Sequence, residues 1–206
     1  KTEVRRYLEY LRYQLKHSGI DVKTGRAASR ELICSLQPDK LIIASGGKEK
    51  TLPSVKGSNV YTATQALDQM DSLGKKVVII GGGSVGVEIA LELAQKGIRV
   101  TIIEASDQLA LSANLIYRPA LLERIGASDQ ITVLRKTFVQ SAESGQVVVI
   151  NSAGKDIIKA DSIIVSIGIE SKNQDGLYGI IENTVTIGDA YRSGNIIDAT
   201  YDGHTS

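Results

Sequence analysis

The sequence is poor in several residue types that often carry chemistry. Its 206 residues include one cysteine, two histidines and no tryptophan. The single Cys34 excludes a disulfide within the chain and a CxxC redox pair. Because Cys34 follows Leu32 and Ile33 in an apolar alternation, we expect it to be a small core residue. Neither His17 nor His204 lies beside the motifs described below, so we assign no catalytic residue and no metal ligand.

The sequence also lacks an excess of charge of either sign. Its 24 basic and 23 acidic residues leave a formal net charge of +1. No overall field then attracts nucleic acid or a membrane surface, and we expect neither as a partner. Tyrosines and arginines near the start could stack bases, but ordinary helix amphipathicity explains them and is preferred. No run of about 18 apolar residues occurs. We expect no secretory signal and a cytoplasmic setting.

Residues 76–104 are the most informative part of the chain. An apolar, β-branched run enters a glycine-rich turn, a helical pattern leaves it, and a second apolar run ends at Glu104. This order of strand, turn, helix, strand and acid is the layout of a βαβ unit that binds a dinucleotide. We predict that the cofactor-binding residues of the turn are Gly81, Gly82, Gly83, Ser84, Val85 and Gly86.

Each glycine of the spaced set has a physical role. Gly81 allows a tight turn, Gly83 lets the backbone approach a pyrophosphate because it has no Cβ, and Gly86 lets the helix pack against the strand. The N-terminus of the helix offers unpaired N–H groups and a positive dipole end to the phosphates.

Glu104 indicates which dinucleotide is bound. A carboxylate at this position can accept hydrogen bonds from both hydroxyls of the adenosine ribose and repels a 2′-phosphate. The three residues that follow it, Ala105, Ser106 and Asp107, include no Arg or Lys. We therefore predict NAD(H) over NADP(H). Two alternatives stay open: a Rossmann unit for another adenine-containing ligand, or a glycine turn that binds nothing.

The rest of the chain predicts strands on both sides of this unit. Residues 40–47 form a strand pattern that runs into glycines, and residues 162–168 form a buried strand pattern that ends at Gly168. Short β runs between them predict a β-meander. A further strand over residues 185–190 ends in Gly188 and Asp189. Near the start, the spacing predicts a helix over 2–17, then a short strand and hairpin-like material up to residue 35.

Three motifs in order carry a resemblance that covers essentially the whole chain. They are Ala44-Ser45-Gly46 followed by Pro53 and Gly57, the set Gly81, Gly83, Gly86, Glu88 and Glu104, and Thr186-Ile187-Gly188-Asp189-Ala190. With them the chain resembles the two-dinucleotide flavoprotein oxidoreductases of the pyridine-nucleotide-disulfide-oxidoreductase-like superfamily. Within it, the chain is most similar to the C-terminal part of NADH:flavin oxidoreductases related to 2,4-dienoyl-CoA reductase and trimethylamine dehydrogenase.

The resemblance implies a fold and a domain organisation. The fold is α/β: a Rossmann-like dinucleotide-binding domain with a parallel sheet and a β-meander, inserted in a partial second domain of the FAD-binding type. We expect residues 58–170 to form the NAD(H)-binding domain. We expect residues 1–57 and 171–206 to pair as the remnant of the FAD-binding domain.

The resemblance also implies roles for individual residues. Asp189 would hold a ribitol hydroxyl of FAD, and Gly188 would let the backbone approach the flavin. The family usually has threonine where Ser45 stands, and serine keeps the hydroxyl. Glu88 either touches the nicotinamide ribose or carboxamide, or only supports the helix dipole. Gly168 either leaves space for the nicotinamide or only ends a strand.

The sequence departs from the family in one respect. The earlier GxGxxG that grips the ADP half of FAD is not in it, so only half an FAD site is expected. We expect a piece of a longer polypeptide that does not retain FAD and does not transfer electrons by itself. FMN and a 4Fe-4S cluster are expected only on a missing N-terminal region. The expected partners are a barrel formed by that N-terminal region, the other half of the FAD domain and a nicotinamide dinucleotide.

Three functional hypotheses follow. The first is the NAD(H)-binding part of an enzyme that passes hydride from NADH to FAD and then, by family analogy, through an iron–sulfur cluster to FMN. The second is a non-catalytic module that binds NAD(H) or ADP. The third is an unrelated Rossmann enzyme such as a methyltransferase, which the motifs around Ser45 and Asp189 argue against.

Overall fold

The computed structural model describes residues 2–172 and 176–206. The helices are α1 (Thr2–His17), α2 (Arg30–Leu36), α3 (Ala63–Asp68), α4 (Ser84–Gln95), α5 (Tyr117–Gly126) and α6 (Ile196–Thr205). The strands are β1 (Leu41–Ile43), β2 (Gly47–Glu49), β3 (Val60–Thr62), β4 (Lys76–Ile80), β5 (Arg99–Ile103), β6 (Ile131–Leu134), β7 (Phe138–Glu143), β8 (Gln146–Asn151), β9 (Gly154–Lys159), β10 (Ser162–Val165), β11 (Ile169–Ser171) and β12 (Thr184–Thr186).

A five-stranded parallel sheet forms the centre of the molecule, in the order β3-β10-β4-β5-β6. The chain runs from β4 through α4 and α5 to β6 at one edge, then returns across the sheet to β10 on the other side of β4. The order of strands therefore reverses beside β4, and the crevice at such a reversal is where ligands of open α/β sheets bind. The α/β Rossmann-like fold is confirmed.

Alternate side chains of β4 pack against two different layers. Val77 and Ile79 belong to the core beneath α3, α4 and α5. Val78 and Ile80 belong to a second core beneath the antiparallel sheet β7-β8-β9. A strand covered on both faces must be apolar throughout, which explains its unbroken run of Val and Ile. The β-meander is thus the layer that covers the face opposite the helices.

The flanking segments meet in a small sheet of their own. β1 pairs with β12 in parallel register, Ile43 opposite Thr186. β2 pairs with β11 in antiparallel register where the chain enters and leaves the central unit. Parallel strands end at the same edge, so the residues that follow β1 and β12 lie side by side.

Helix α1 forms where its periodicity predicts, but its apolar stripe is exposed. Its stripe residues are 40–47% exposed: Val4, Leu8, Leu11 and Leu15. Tyr10 and Tyr13 are exposed as well. Across residues 2–172 and 176–206, none of the helices combines the length and the apolar character needed to cross a membrane.

Two expectations for residues 20–35 are wrong. Residues 20–29, all of which the structure describes, form neither helix nor strand, and α2 follows them. Ser29 caps α2, its side chain accepting a hydrogen bond from the N–H of Leu32. In a helix, consecutive residues point in different directions. Ile33 is therefore buried and Cys34 is exposed, so Cys34 is not a core residue.

Candidate functional site

The glycine turn begins at the carboxyl end of β4. The N–H of Gly81 donates to the carbonyl oxygen of Ile103, which ties the turn to β5. Gly81 has φ +107°, a region that favours glycine. A Cβ at Gly81 would lie 2.2 Å from the carbonyl oxygen of Ser166, after β10. The turn therefore passes close to the backbone of the neighbouring strand, as the tight-turn prediction requires.

Gly82 joins the turn to the acidic residue. Its N–H donates to Oε2 of Glu104 at 2.7 Å, while Oε1 of Glu104 accepts from the N–H of Ser106 at 2.8 Å. The carbonyl oxygen of Gly82 accepts from the N–H of Ala110 at 2.7 Å. A Cβ at Gly82 would collide with Leu109 at 2.3 Å. Gly82 is thus buried between the acid and the loop after β5, and it positions Glu104.

Glu104 is held as a carboxylate. Partial burial acts to raise its pKa, but hydrogen bonds from Ser106, Gly82 and Ala105 outweigh burial and lower the pKa below its ordinary value of 4.5. Two ionised oxygens offer about four acceptor positions, and the hydrogen bonds to Gly82 and Ser106 use two of them. Glu104 therefore keeps acceptor capacity for a ligand hydroxyl.

Gly83 faces open space at the start of α4. It is the N-cap residue, with φ −66° and ψ 178°, and no side chain caps the helix. The N–H groups of a first helical turn have no partner within the helix, and here a ligand can approach them, because a Cβ at Gly83 would meet nothing within 4 Å. Ser84 follows, its Oγ 3.3 Å from that of Ser112, and Val85 is 48% exposed.

Gly86 packs the helix against the sheet. A Cβ there would lie 2.2 Å from the carbonyl oxygen of Gly81 and 3.4 Å from Ile79. Only glycine lets α4 approach β4 this closely. The three spaced glycines thus have the geometries expected of them: a turn, an open approach and a close packing contact.

A cleft runs along this edge of the sheet on both sides of the turn. Its larger part, about 490 Å³, contains Glu104 and is called here the Glu104 side. Its smaller part, about 230 Å³, contains Glu49 and is called the Glu49 side. Four residues line both parts: Gly83, Ser112, Ser166 and Gly168. The glycine turn therefore stands between the two parts and borders both of them.

Gly168 lies where a flat ring could approach the backbone. It has φ +97°, and a Cβ there would meet nothing within 4 Å. Glu88 lies elsewhere: it lines a depression of about 530 Å³ over α4 and α5, together with Tyr117 and Arg124. Val85 borders both that depression and the Glu49 side. The contact of Glu88 with a nicotinamide stays a prediction.

The ends of β1 and β12 form a second candidate site. Ala44, Gly46, Gly188 and Asp189 line one cavity of about 410 Å³, with Asn195 at its rim. Gly188 has φ +57°, and its N–H donates to Oδ2 of Asp202. Oδ1 of Asp189 accepts from the N–H of Gly194 at 3.0 Å.

The motif Ala44-Ser45-Gly46 is only partly in the cavity. Ser45 is exposed beside it and is not among the residues that line it. The Oγ1 of Thr186, at the end of β12, is buried without a hydrogen-bond partner among the described residues.

Sequence reasoning missed the loop after β5 and the residues after β6. No periodic pattern marks Ser112 or Ala110 as part of the site. Lys136 was also missed: its N–H donates to the carbonyl oxygen of Ser106, and its Nζ lies 3.3 Å from Oδ2 of Asp107. A cation thus pairs with Asp107, in the loop that follows Glu104, although no Arg or Lys occurs in residues 105–107.

The residues of the turn fit a dinucleotide. The bare Gly83 borders open space, the helix N-terminus is uncapped by a side chain, and the carboxylate of Glu104 has acceptor positions left. The cavity beside Asp189 fits part of a second cofactor, since three glycines there bring the backbone to its wall. Within residues 2–172 and 176–206, no three His, Cys, Asp or Glu side chains are grouped so that they could hold a metal ion.

The chain is similar to known oxidoreductases. The chain is 32% identical over 171 residues to a bilirubin reductase of Mediterraneibacter gnavus. The aligned region covers 82% of the chain and 26% of that protein. It is 31% identical over 214 residues to an NADH oxidase of Thermoanaerobacter brockii, which covers 98% of the chain and 33% of that protein. The chain therefore spans about a quarter to a third of these relatives.

A solved structure shares the fold. The structure of a 2-naphthoyl-CoA reductase in complex with 2-naphthoyl-CoA matches 95% of the chain and 30% of its own chain, with a TM-score of 0.80 and 24% identity. The sequence profile of the pyridine nucleotide-disulphide oxidoreductases matches residues 2–185. The chain belongs to the pyridine nucleotide-disulphide oxidoreductase family, whose members bind a pyridine nucleotide and FAD.

Proposed function

We propose that this chain is the NAD(H)-binding part of a flavin-dependent oxidoreductase, with half of an FAD site beside it. The observation that carries the proposal is the coupling of Glu104 to the glycine turn through Gly82, at 2.7 Å. This bond joins Glu104, the proposed acceptor for the ribose, to the turn that we propose holds the pyrophosphate. Family membership supports a pyridine nucleotide as the occupant.

The residues of the chain would divide the work of binding. The amides of Gly83, Ser84 and Val85 would hold the pyrophosphate, with the dipole of α4 adding to the attraction. Glu104 would accept from the ribose hydroxyls and disfavour a 2′-phosphate. The dinucleotide would then reach through the shared part of the cleft towards Gly168 and the Glu49 side.

We further propose that the flavin site lies beside Asp189. When bound, the two cofactors supply the hydride donor and acceptor, and the protein supplies binding and orientation. Ala44, Gly46, Gly188 and Asp189 would hold the ribitol and flavin side of FAD, which the shared cavity supports. On this basis residues 1–57 and 171–206 form the partial FAD-binding domain and residues 58–170 the NAD(H)-binding domain. The pairing of β1 with β12 supports that division.

The finer family assignment is also a proposal. Bilirubin reductase and NADH oxidase, which this chain resembles over 26% and 33% of their lengths, are named as redox enzymes. With the motif order of the sequence, they support an NADH:flavin oxidoreductase of the 2,4-dienoyl-CoA reductase and trimethylamine dehydrogenase type. FMN and a 4Fe-4S cluster would then belong to other parts of such a protein.

A second candidate is a module that binds NAD(H) or ADP without catalysis. One observation favours it: the Glu104 side of the cleft, at about 490 Å³, is larger than the Glu49 side, at about 230 Å³. An adenosine diphosphate would fill only the larger part. The two candidates differ in whether the nicotinamide half adds affinity.

Calorimetric titration with NADH, NADPH, ADP-ribose and ADP tests the proposal. We expect one site per chain and NADH bound at least about tenfold more tightly than NADPH, a difference of about 1.4 kcal/mol. Equal affinity for NADH and NADPH would refute the role of Glu104. Equal affinity for NADH and ADP would favour the non-catalytic module. No binding by any of the four would refute the site.

A further inference from the structure

Phe138 is an exposed aromatic residue on the wall of the Glu104 side. It is the single phenylalanine of the sequence and the first residue of β7. It is 60% exposed, and it lines the same cavity as Glu104. Its cross-strand partner Ile150 is also partly exposed, at 41%. The interior packing of the meander therefore does not account for a large apolar ring at this position.

The backbone next to Phe138 is fixed against Glu104. Thr137 is 2% exposed, and its N–H donates to the carbonyl oxygen of Glu104 at 3.0 Å. Its Oγ1 donates to the carbonyl oxygen of Arg135 at 2.9 Å. Phe138 therefore directly follows Thr137, whose backbone is hydrogen-bonded to the backbone of Glu104.

The order of strands along the cleft indicates which group of the dinucleotide would lie beside Phe138. The glycine turn follows β4, Glu104 follows β5, and Thr137 and Phe138 follow β6, the next strand in the sheet. Neighbouring strands lie about 4.8 Å apart. Pyrophosphate, ribose and base are joined in that same order, with comparable steps. A base beyond a ribose held by Glu104 would therefore lie over the end of β6.

We propose that Phe138 is the platform on which the adenine ring of the bound dinucleotide stacks. The proposal deepens and rests on the proposed function. A flat purine gains by covering an aromatic face, and the neighbouring wall residues Leu52 and Val139 are apolar too. The pocket recognises the face of the base, while Glu104 recognises its ribose.

The absence of tryptophan allows a direct optical test. In the variant Phe138→Trp the new indole is the single tryptophan, and a base stacked on it quenches its fluorescence. We expect AMP and ADP-ribose to quench this signal saturably, and nicotinamide mononucleotide, which lacks adenine, to leave it unchanged. The matched control is Tyr191→Trp, at a residue 68% exposed and outside the cleft; its fluorescence should not respond to AMP.

A calorimetric arm measures the contribution of the ring. We expect Phe138→Ala to weaken ADP-ribose binding at least about fivefold and to leave nicotinamide mononucleotide binding within about twofold of the unchanged chain. Thermal unfolding followed by circular dichroism checks each variant, and Phe138→Leu preserves apolar bulk if the alanine variant does not fold. If Phe138→Leu binds ADP-ribose as tightly as the unchanged chain, the stacking role of Phe138 is refuted.

The outcomes separate the two levels of the proposal. If the unchanged chain binds ADP-ribose but the tryptophan is not quenched and Phe138→Ala binds normally, the adenine platform is refuted and the proposed function stands. If the unchanged chain binds neither ADP-ribose nor NADH, both are refuted. Saturable quenching with a matching loss of affinity supports both.

Discussion

The N–H of Gly82 donates to Oε2 of Glu104 at 2.7 Å, which joins the turn after β4 to the acid after β5. The two residues are separated by a whole helix in sequence. Their bond means that the glycine turn and the acid move as one unit. With the N–H of Ser106 donating to Oε1, it orients the carboxylate of Glu104.

Replacing Glu104 should change the choice between dinucleotides. In Glu104→Gln the amide keeps an acceptor for one ribose hydroxyl but loses the charge that repels a 2′-phosphate. We expect the preference for NADH over NADPH to fall by about tenfold, which corresponds to about 1.4 kcal/mol. Calorimetric dissociation constants for both nucleotides measure this. The control is Glu143→Gln, an exposed acid at the far end of β7, and an equal change there would argue against a local effect.

Substitutions at Gly83 and Gly86 should separate nucleotide binding from the stability of the fold. Gly83→Ala adds a methyl group in open space at an ordinary φ of −66°. Because alanine is a poorer N-cap residue than glycine, we expect a loss of about 1 kcal/mol or less in the free energy of unfolding, and nucleotide affinity reduced at least about tenfold. Gly86→Ala forces a Cβ to 2.2 Å from the carbonyl oxygen of Gly81, so we expect a loss of about 1–3 kcal/mol in the free energy of unfolding.

Gly126→Ala is the matched control for these two variants. Gly126 is the last residue of α5, and a Cβ there meets nothing within 4 Å. We expect unchanged binding and a small gain of about 0.4–1 kcal/mol in the free energy of unfolding, because alanine restricts the unfolded chain. Urea unfolding and calorimetry on all three variants provide the comparison. Normal binding by a folded Gly83→Ala protein would show that the pyrophosphate does not lie there.

Lys136 should contribute to any binding of a 2′-phosphate once the acid is removed. Its Nζ lies 3.3 Å from Oδ2 of Asp107, beside the loop that follows Glu104. In a Glu104→Ala background, Lys136→Ala should weaken NADPH binding about threefold or more and leave NADH binding unchanged, since an exposed charge acts weakly. Asp107→Asn in the same background should strengthen NADPH binding. Equal effects on both nucleotides would show that Lys136 acts on the fold instead.

Acid should destabilise the folded chain partly through Glu104. Its pKa is below 4.5 when folded and near 4.5 when unfolded. The carboxylate therefore stabilises the fold fully above the unfolded pKa, and this contribution is lost as the pH falls through the folded pKa. Urea unfolding of the chain and of Glu104→Gln should show a gap at about pH 7 that narrows below about pH 4.5. A gap independent of pH would mean that the charge of Glu104 does not contribute.

The comparison with Glu104→Gln is needed because other carboxylates titrate in the same range. A backbone hydrogen bond at Glu31 and the Ser29 side chain lower the pKa of Glu31. Lys96 lowers that of Asp71 through a hydrogen bond and its charge. Both of these acids are present in the chain and in the variant, so their contributions cancel in the difference.

Much of the central unit could be predicted from sequence because its signals are local. A run of β-branched residues buried on both faces, as in β4, admits few other structures. The structure shows a tight turn at Gly81, open space beside Gly83 and a close packing contact at Gly86. Glu104 directly follows the apolar run of β5.

The parts that could not be predicted depend on contacts distant in sequence. Ala110 has φ +52° and Lys136 has φ +50°, conformations that their residue types do not announce. The path of the loop after β5, in which Ala110 bonds to Gly82, could therefore not be predicted from the residue types. Cys34 failed for another reason: a short apolar stretch such as residues 32–34 suits a strand or a helix, and the cap at Ser29 decided for the helix.

The most direct measurement is a crystal structure of the chain with NADH bound. We predict the adenosine ribose hydroxyls within hydrogen-bond distance of the carboxylate of Glu104 and the pyrophosphate against Gly83 and the first turn of α4. A nucleotide bound instead in the depression beside Glu88, or beside Asp189, with the glycine turn making no contact to it, would contradict the central claim.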